Sequence, residues 1–213
     1  MLEESSCSKP IIVVEHLEED FTPWILLEYR HLSSIYGSHC VFFTNIPGRY
    51  CKLLSKYGRP FPESIVEMVE KGLVKPSELL ILDPSSPKPL AYSVLVEKRY
   101  VVIGGILGDH PPRGRTRELL TSRLRGVEAF NIGGGQYSID GAVYYVHYMY
   151  TRKGLEGYSY VDGVTIETQN GVIHLPYRYP LVDGRPLISS ELVYYLTYRR
   201  LPEHVWKELK DNG

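Results

Sequence analysis

Residues 101–116, which read VVIGGILGDHPPRGRT, contain the strongest indication of the fold. Their apolar beginning has no polar alternation, and such runs are typical of parallel strands that are covered on both faces. Three glycines, Gly104, Gly105 and Gly108, interrupt the run. Because glycine weakens a strand interior, they indicate that another backbone or a ligand approaches closely. The stretch therefore predicts a buried strand that ends at a binding site.

The turn after this strand combines several charged and polar groups. Asp109 and His110 stand at the carboxyl end of the strand, which is where open α/β sheets bind their ligands. Pro111 and Pro112 stiffen the turn, and a helix is predicted over residues 113–124. A strand, a tight turn and a helix occur in any α/β protein. A carboxylate, an imidazole and several guanidinium groups within one turn, however, indicate a functional site.

Strand and helix signals alternate outward from this segment. Strands are predicted where short apolar runs end in turn residues, at 11–14, 40–44, 78–82 and 127–132. Helices are predicted where apolar residues recur between capping residues, at 23–36, 62–71, 138–152, 189–198 and 201–209. The alternation favours a mostly parallel sheet with flanking helices in a single domain over residues 1–213.

Two further structural expectations concern the first helix and the late part of the chain. Glu28 and Arg30 are predicted to be surface residues of the helix at 23–36. Residues 164–175 are predicted to form a β-hairpin that turns at Asn170 and Gly171, the dipeptide that hairpin turns favour.

Composition limits the classes of function. A hydrophobic content of 43% in 213 residues is sufficient for a sizeable core. The formal net charge of −1 lacks the basic field of a general nucleic-acid binder, which disfavours an RNA substrate without excluding it. No stretch is long and apolar enough to cross a membrane, and the polar start MLEESSCSKP is unlike a signal peptide. We therefore expect a cytoplasmic protein.

The cysteines favour a reducing compartment. Cys7, Cys40 and Cys51 are odd in number, and no pair has the spacing of metal ligands. They are predicted to be free thiols, and no metal site is predicted.

Five segments, in order along most of the chain, resemble one family. They read VVEHLEEDFTPWILLEYRHL, LLILDPSSP, GGILGDHPPRGRT, GGGQYSIDGAV and LPYRYP. Together they resemble a small family of SPOUT-class methyltransferases, described as RNA methyltransferases and, for the fungal member, as a protein arginine methyltransferase that acts on a ribosomal protein. The resemblance implies an α/β fold with a mostly parallel sheet and a C-terminal trefoil knot.

The resemblance also implies that S-adenosylmethionine is bound by three loops at strand ends, largely through backbone contacts. The third loop is rich in glycine, but its spacing fits neither a phosphate-binding loop nor a dinucleotide-binding loop. The predicted cofactor-binding residues are Leu82, Asp83, Pro84, Gly104, Gly105, Ile106, Leu107, Gly108, His110, Asn131, Ile132, Gly133, Gly134, Gln136 and Ser138.

The acidic segment 15–20 follows the first strand and suggests a cationic substrate. A charge run is often only a solvated loop, but carboxylates pair with a guanidinium group in bidentate fashion and suit an RNA phosphate badly. Glu15, Glu18 and Asp109 are therefore candidates to hold a substrate arginine and accept its proton. Arg115 is a fourth candidate, which would anchor either the carboxylate of the cofactor or the substrate.

Three functions follow from the sequence. The leading hypothesis is a methyltransferase that modifies an arginine of a ribosomal protein, with that protein or the ribosome as partner. The second is the same class of enzyme acting on RNA, and the third is a binding module without catalytic activity. Monomer and homodimer both stay open.

Overall fold

The structure is a computed structural model that describes residues 7–108, 114–169 and 171–212. Six strands form its central sheet: β1 (Ile11–His16), β2 (Val41–Thr44), β3 (Arg59–Pro60), β4 (Leu79–Leu82), β5 (Tyr100–Gly105) and β6 (Glu128–Phe130). They lie in the spatial order β3-β2-β1-β5-β4-β6, and every pair is parallel. The predicted fold class is confirmed, whereas the trefoil knot stays a prediction.

Helices flank this sheet within the described residues. They are α1 (Pro23–Tyr36), α2 (Cys51–Leu54), α3 (Ile65–Glu70), α4 (Tyr92–Glu97), α5 (Ile139–Arg152), α6 (Ser190–Tyr198) and α7 (Glu203–Asn212). Thr22 caps α1, since its hydroxyl accepts a hydrogen bond from the Ile25 amide. The helix predicted at 62–71 begins later, because Ser64 and Glu67 form a capping box. The helix predicted at 113–124 is a short π-helical segment, Arg117–Thr121.

A second, antiparallel sheet follows α5. It contains β7 (Tyr160–Thr168), β8 (Gly171–Val182) and β9 (Arg185–Pro186). The hairpin of β7 and β8 confirms the predicted pairing but is longer than predicted, because LPYRYP continues β8 and pairs back to Tyr160.

Both faces of the central sheet are covered, as the apolar runs predict. In β1, Ile12 and Val14 pack in a core cluster with side chains of α1 and α5. Ile11 and Val13 point to the opposite face and pack with residues of α3. All four side chains are buried.

Glu28 is a correction, because the prediction places it on the surface and the structure buries it. Its side chain is 2% exposed, and its Oε1 accepts a hydrogen bond of 2.7 Å from Trp24 Nε1. Arg30 is half-buried and pairs with Glu191 and Glu208. The physical reason is that α5 and α6 pack against the outer side of α1. Helical periodicity shows which face is apolar but not that a second layer covers the polar one.

The cysteine prediction was wrong for two of the three residues. Cys7 and Cys40 form a disulfide, with their Cα atoms 5.3 Å apart, whereas Cys51 is a free thiol. The two bonded residues precede β1 and β2, which begin side by side with Ile12 opposite Val41. Strand pairing therefore brings together cysteines that are 33 positions apart in the chain.

None of the helices in the described residues is long and apolar enough to cross a membrane.

Candidate functional site

A cavity of about 440 Å³ lies where β4, β5 and β6 end. We call it the loop cavity. Three loops contribute to its wall: loop 1 (residues 83–86) follows β4, loop 2 (described at 106–108 and 114–116) follows β5, and loop 3 (residues 131–138) follows β6. The predicted cofactor-binding residues that line it are Leu82, Asp83, Pro84, Gly104, Ile106, Ile132, Gly133, Gln136 and Ser138.

The wall also contains residues that sequence reasoning missed: Ser85, Ile103, Gly114, Thr116, Gly135, Tyr137, Ile139 and Ala142. Ile139 and Ala142 are three positions apart on the first turn of α5, so helical spacing could have indicated that they face the same side. Ser85 and Gly135 lie inside segments that the sequence assigns to the cofactor. No local signal distinguishes Thr116.

Loop 1 is shaped by the carboxylate of Asp83, which is 3% exposed. Its Oδ1 accepts hydrogen bonds from the Ser85 amide (2.8 Å) and the Ser85 hydroxyl (2.7 Å). Its Oδ2 accepts a hydrogen bond of 2.8 Å from Thr121 Oγ1 in the π-helical segment. The carboxylate therefore holds the loop in one shape and joins it to the element after loop 2.

Gly104 and Gly105, the last two residues of β5, face opposite sides of the sheet, as successive strand residues must. Gly104 lines the loop cavity, and a Cβ there would stand 3.4 Å from Thr116 Oγ1, an ordinary contact. A Cβ at Gly105 would overlap with the Tyr29 hydroxyl and lie 3.0 Å from the Glu15 carbonyl oxygen. Gly105 is thus explained by the packing of α1 and does not line the cavity.

Four other predicted cofactor residues lie outside the cavity wall, and three of them support the loops. The Asn131 side chain donates to the Ser86 carbonyl and accepts from the Gly133 amide. Leu107 and Gly108 take part in main-chain hydrogen bonds. The fourth, Gly134, is exposed, and a Cβ at this position would meet no described atom within 4 Å. His110 lies outside the described residues.

Loop 3 is held by Arg178 of the LPYRYP segment. The Arg178 amide donates to the Gln136 carbonyl at 2.7 Å, and a Cβ at Gly135 would stand 2.8 Å from the guanidinium carbon. Gly135 also has a φ of +113°, so the position suits glycine for two reasons. The guanidinium group binds both carboxylate oxygens of Asp162, at 2.7 and 2.9 Å, and lies 3.8 Å from the centre of the Tyr160 ring.

The neighbouring residue of β8 holds loop 2. The Tyr177 hydroxyl donates a hydrogen bond of 2.6 Å to the Gly108 carbonyl. A Cβ at Gly108 would also overlap with the Gln136 side chain, so loops 2 and 3 touch at this point. The hairpin therefore braces two of the three loops of the cavity through consecutive residues, a function that the sequence did not indicate.

Glu15 is not among the residues that the structure brings to the loop cavity. Its carboxylate is 2% exposed and accepts hydrogen bonds from Thr44 Oγ1 (2.5 Å), Ser64 Oγ (2.5 Å) and the Ile65 amide (2.9 Å). Burial raises the pKa of Glu15, and these hydrogen bonds oppose that effect. The side chain joins β1, β2 and the start of α3.

Glu18 and Arg115 lie together at the edge of the loop cavity, where Arg115 is part of the wall. Glu18 Oε1 accepts hydrogen bonds from the Leu107 amide (2.8 Å) and from Arg115 Nη1 (3.2 Å). Arg115 Nη2 donates to the Leu107 carbonyl at 2.5 Å. Both side chains are about a quarter exposed, so solvent reaches them. Asp109, the remaining catalytic candidate, lies outside the described residues.

The first turn of α5 is held by buried acidic groups that sequence reasoning did not assign. Ser138 caps the helix by accepting from the Gly141 amide, and Glu28 Oε2 accepts a hydrogen bond of 2.9 Å from the Ile139 amide. Asp140 Oδ2 lies 2.6 Å from His31 Nδ1. Burial, together with the nearby Asp140, raises the pKa of Glu28. The amides at this helix end are therefore occupied by the protein's own side chains.

This parallel sheet, with its loop cavity at the carboxyl ends of the strands, has the architecture of a SPOUT-class methyltransferase. The structure matches the crystal structure of the yeast arginine methyltransferase SFM1 complexed with SAM, with a TM-score of 0.80 and 24% identity over 92% of this chain and 93% of that chain. A more distant match in fold is the dual-specific Trm10 of Thermococcus kodakaraensis, with a TM-score of 0.50 and 13% identity over 68% of this chain and 94% of that chain.

The chain belongs to the SFM1-like family of protein arginine N-methyltransferases, whose family profile matches residues 11–200. The protein arginine N-methyltransferase SFM1 of Saccharomyces cerevisiae is 29% identical over 194 residues, which cover 85% of this chain and 91% of the yeast protein. The predicted resemblance is therefore confirmed.

Proposed function

We propose that this chain is an S-adenosylmethionine-dependent methyltransferase that modifies an arginine side chain of a protein. The observation that carries the proposal is the loop cavity, in which three separate loops meet at one edge of the sheet. Membership of the SFM1-like family supports it, as do similar SFM1 structures complexed with SAM, SAH and MTA.

The loop cavity suits a cofactor of this kind in size and in lining. Its volume of about 440 Å³ is in the range of small-molecule sites. Leu82, Ile132 and Ile139 supply apolar walls for an aromatic base, and Gly104 leaves the main chain accessible. Arg115 lies at the edge of the cavity, where its guanidinium would pair with a ligand carboxylate in place of its present partner Glu18.

When bound, the cofactor supplies a methyl group on a positively charged sulfur, which a nucleophile can attack in line. The chain must orient the substrate guanidinium and remove one proton from it. Glu18 is suited to both tasks, because it lies at the edge of the cavity and its carboxylate already binds one guanidinium group, that of Arg115. Asp109 is proposed as a second carboxylate for these tasks. Glu15 is too deeply buried for direct contact with a substrate and would act only by holding β1 in place.

The finer features of the proposal rest on the resemblance of the sequence motifs. On that basis we propose a ribosomal protein as the substrate and a C-terminal trefoil knot. The cytoplasmic location is a separate proposal, based on the composition and hydropathy of the sequence. The net charge of −1 favours a protein over RNA as the methyl acceptor.

Methylation of a ribosomal extract with tritiated S-adenosylmethionine tests the function. Label is expected in material that protease degrades and nuclease leaves intact, and acid hydrolysis should release methylarginine. Label that nuclease removes would replace the arginine proposal with RNA methylation. Calorimetry without detectable cofactor binding would instead favour a binding module without catalytic activity.

A matched pair of variants tests Glu18. Glu18→Gln should lower the methylation rate by about 10²–10⁴-fold, the usual contribution of a general base. Glu19→Gln is the control, since Glu19 is the adjacent carboxylate and is exposed. Calorimetry should show cofactor binding in both variants. Equal rates in the two variants would remove Glu18 from the mechanism.

A further inference from the structure

A second pocket lies at the edge of the sheet opposite the loop cavity. Its volume is about 470 Å³, and we call it the basic pocket. Residues 7–11 form one wall and residues 98–99 another, at the amino ends of β1 and β5, where Ile11 pairs with Tyr100. Tyr150, near the C-terminal end of α5, closes a third side. The first turn of the same helix lines the loop cavity through Ile139 and Ala142, so about 12–16 Å of helix separates the two sites.

The described residues that line the basic pocket include three cations and no carboxylate. The cations are Lys9, Lys98 and Arg99. Lys9 Nζ donates to the Tyr36 carbonyl at 2.5 Å, and Lys98 Nζ donates to the Ser77 carbonyl at 3.0 Å. Both carbonyls are neutral, so neither of these hydrogen bonds neutralises the charge of its ammonium group.

The two lysines have a structural explanation that Arg99 lacks. Lys9 binds the last carbonyl of α1 and Lys98 follows α4, and cations are favoured at helix C-termini. The Arg99 guanidinium makes no hydrogen bond or ion pair with any residue of the described chain, and lies 5.5 Å from the centre of the Tyr100 ring. Its charge is therefore available to a ligand.

The walls of the basic pocket are fixed before any ligand arrives. The disulfide between Cys7 and Cys40 anchors one end of the 7–11 wall. The Tyr150 hydroxyl donates to the Ser8 carbonyl at 3.1 Å, and the Ile11 amide donates to the Arg99 carbonyl at 2.8 Å. Such preorganisation lowers the entropy that binding must overcome.

We propose that the basic pocket binds a phosphate group. A phosphate carries up to two negative charges and several acceptor oxygens, so it can be approached by three cations from different walls. A guanidinium group binds phosphate through two parallel hydrogen bonds, which suits Arg99. The phosphate belongs either to a free ion or nucleotide or to the backbone of an RNA, and the experiment distinguishes these sources.

The test compares Arg99→Gln with Arg200→Gln, an exposed arginine between α6 and α7 that undergoes the same change of charge. Inorganic phosphate, pyrophosphate and a short single-stranded RNA are titrated into the full chain, and amide NMR signals of residues 98 and 99 are followed. Arg99→Gln should weaken binding by at least about tenfold, because the charge and at least one of the two charge-assisted hydrogen bonds are lost, and Arg200→Gln should not. With RNA, Arg99→Gln should also reduce the slope of the logarithm of the binding constant against the logarithm of the salt concentration by about 1 in magnitude.

Binding of the RNA with no response to the free ions identifies a phosphodiester ligand, and the reverse identifies a free phosphate. No change of the signals at residues 98 and 99 with any of the three probes overturns the proposal, as does equal weakening by both variants. Lys98→Gln provides a second variant if Arg99→Gln unfolds. Cofactor binding to the loop cavity is measured separately, so failure of the methyltransferase proposal would leave this result interpretable.

Discussion

Replacement of Gly105 by alanine should destabilise the protein because of one specific overlap. The new methyl group would occupy the position of the Tyr29 hydroxyl and approach the Glu15 carbonyl oxygen to 3.0 Å. Tyr29 cannot move aside easily, since it is fully buried, stacks on Phe43 with ring centres 4.9 Å apart, and bonds to His16 Nδ1 at 3.1 Å. Overpacking of a well-ordered core costs about 1–3 kcal/mol, and we expect a loss in that range.

Removal of the Tyr29 hydroxyl should relieve most of that overlap. Tyr29→Phe alone loses one buried hydrogen bond, which costs about 0.5–1.5 kcal/mol. In the double variant the methyl group enters the space that the hydroxyl has left. The loss of stability should therefore be smaller than the sum of the single losses by at least about 1 kcal/mol. Urea unfolding of the wild-type protein, the two single variants and the double variant measures this coupling, provided that the unfolding free energy falls with urea concentration at the same slope in all four.

Gly104→Ala is the matched control, because its methyl group would make only ordinary contacts of 3.4–3.5 Å. It should leave stability nearly unchanged but weaken cofactor binding, since Gly104 lines the loop cavity and Gly105 does not. Additive losses in the double variant, or wild-type stability of Gly105→Ala, would refute the assignment of Gly105 to core packing.

Three further perturbations test other parts of the structure. Tyr177→Phe should weaken cofactor binding by about 3–10-fold in calorimetry, because loop 2 loses its hydrogen bond to β8. Tyr148→Phe is the control, since it loses a hydrogen bond far from the cavity and should leave the affinity unchanged. Equal cofactor affinities of the two variants would show that the Tyr177 hydroxyl does not support loop 2. Burial lowers the pKa of His16 to about 4, so between pH 6.5 and pH 4 the unfolded chain binds a proton at this residue and the native chain does not. Protonation of the unfolded state should therefore lower the free energy of unfolding by about 2 kcal/mol between pH 7 and pH 5. Urea unfolding at the two pH values measures this loss, which His16→Asn should abolish. Reduction of the disulfide between Cys7 and Cys40 should lower stability by about 2–4 kcal/mol, and an equal effect of reductant on Cys7→Ser would contradict this account.

The sequence predicts the sheet and its loops well because those signals are local. An apolar run that ends in glycine or proline marks where a strand stops, and parallel strands in an open sheet share one carboxyl edge. Strand ends therefore place Leu82, Gly104 and Ile132 at one edge of the sheet, and the resemblance to the family assigns them to one cofactor cavity. The side of the sheet that each glycine faces depends on tertiary packing, and for that reason the sequence alone assigns Gly105 to the cofactor together with Gly104.

Long-range partners account for the side chains whose environment the sequence does not predict. Glu28 is covered by α5, more than a hundred residues later in the chain, and the Ile139 amide becomes its hydrogen-bond donor. Arg178 holds loop 3 from a hairpin that is distant from the loop in sequence. A single sequence without distances contains no signal for either pairing.

The acidic segment 15–20 shows how one local pattern separates into different physical environments. Glu15 is still within β1 and points into the core, where hydroxyl groups from β2 and the start of α3 bind its carboxylate. Glu18 comes after the strand has ended and reaches the Leu107 amide of loop 2, while Glu19 is exposed. Because the strand end lies between the first two carboxylates, only the later one can meet a substrate at the edge of the loop cavity. Position relative to the strand end, rather than the number of charges in the run, therefore decides which of these two carboxylates reaches the edge of the loop cavity.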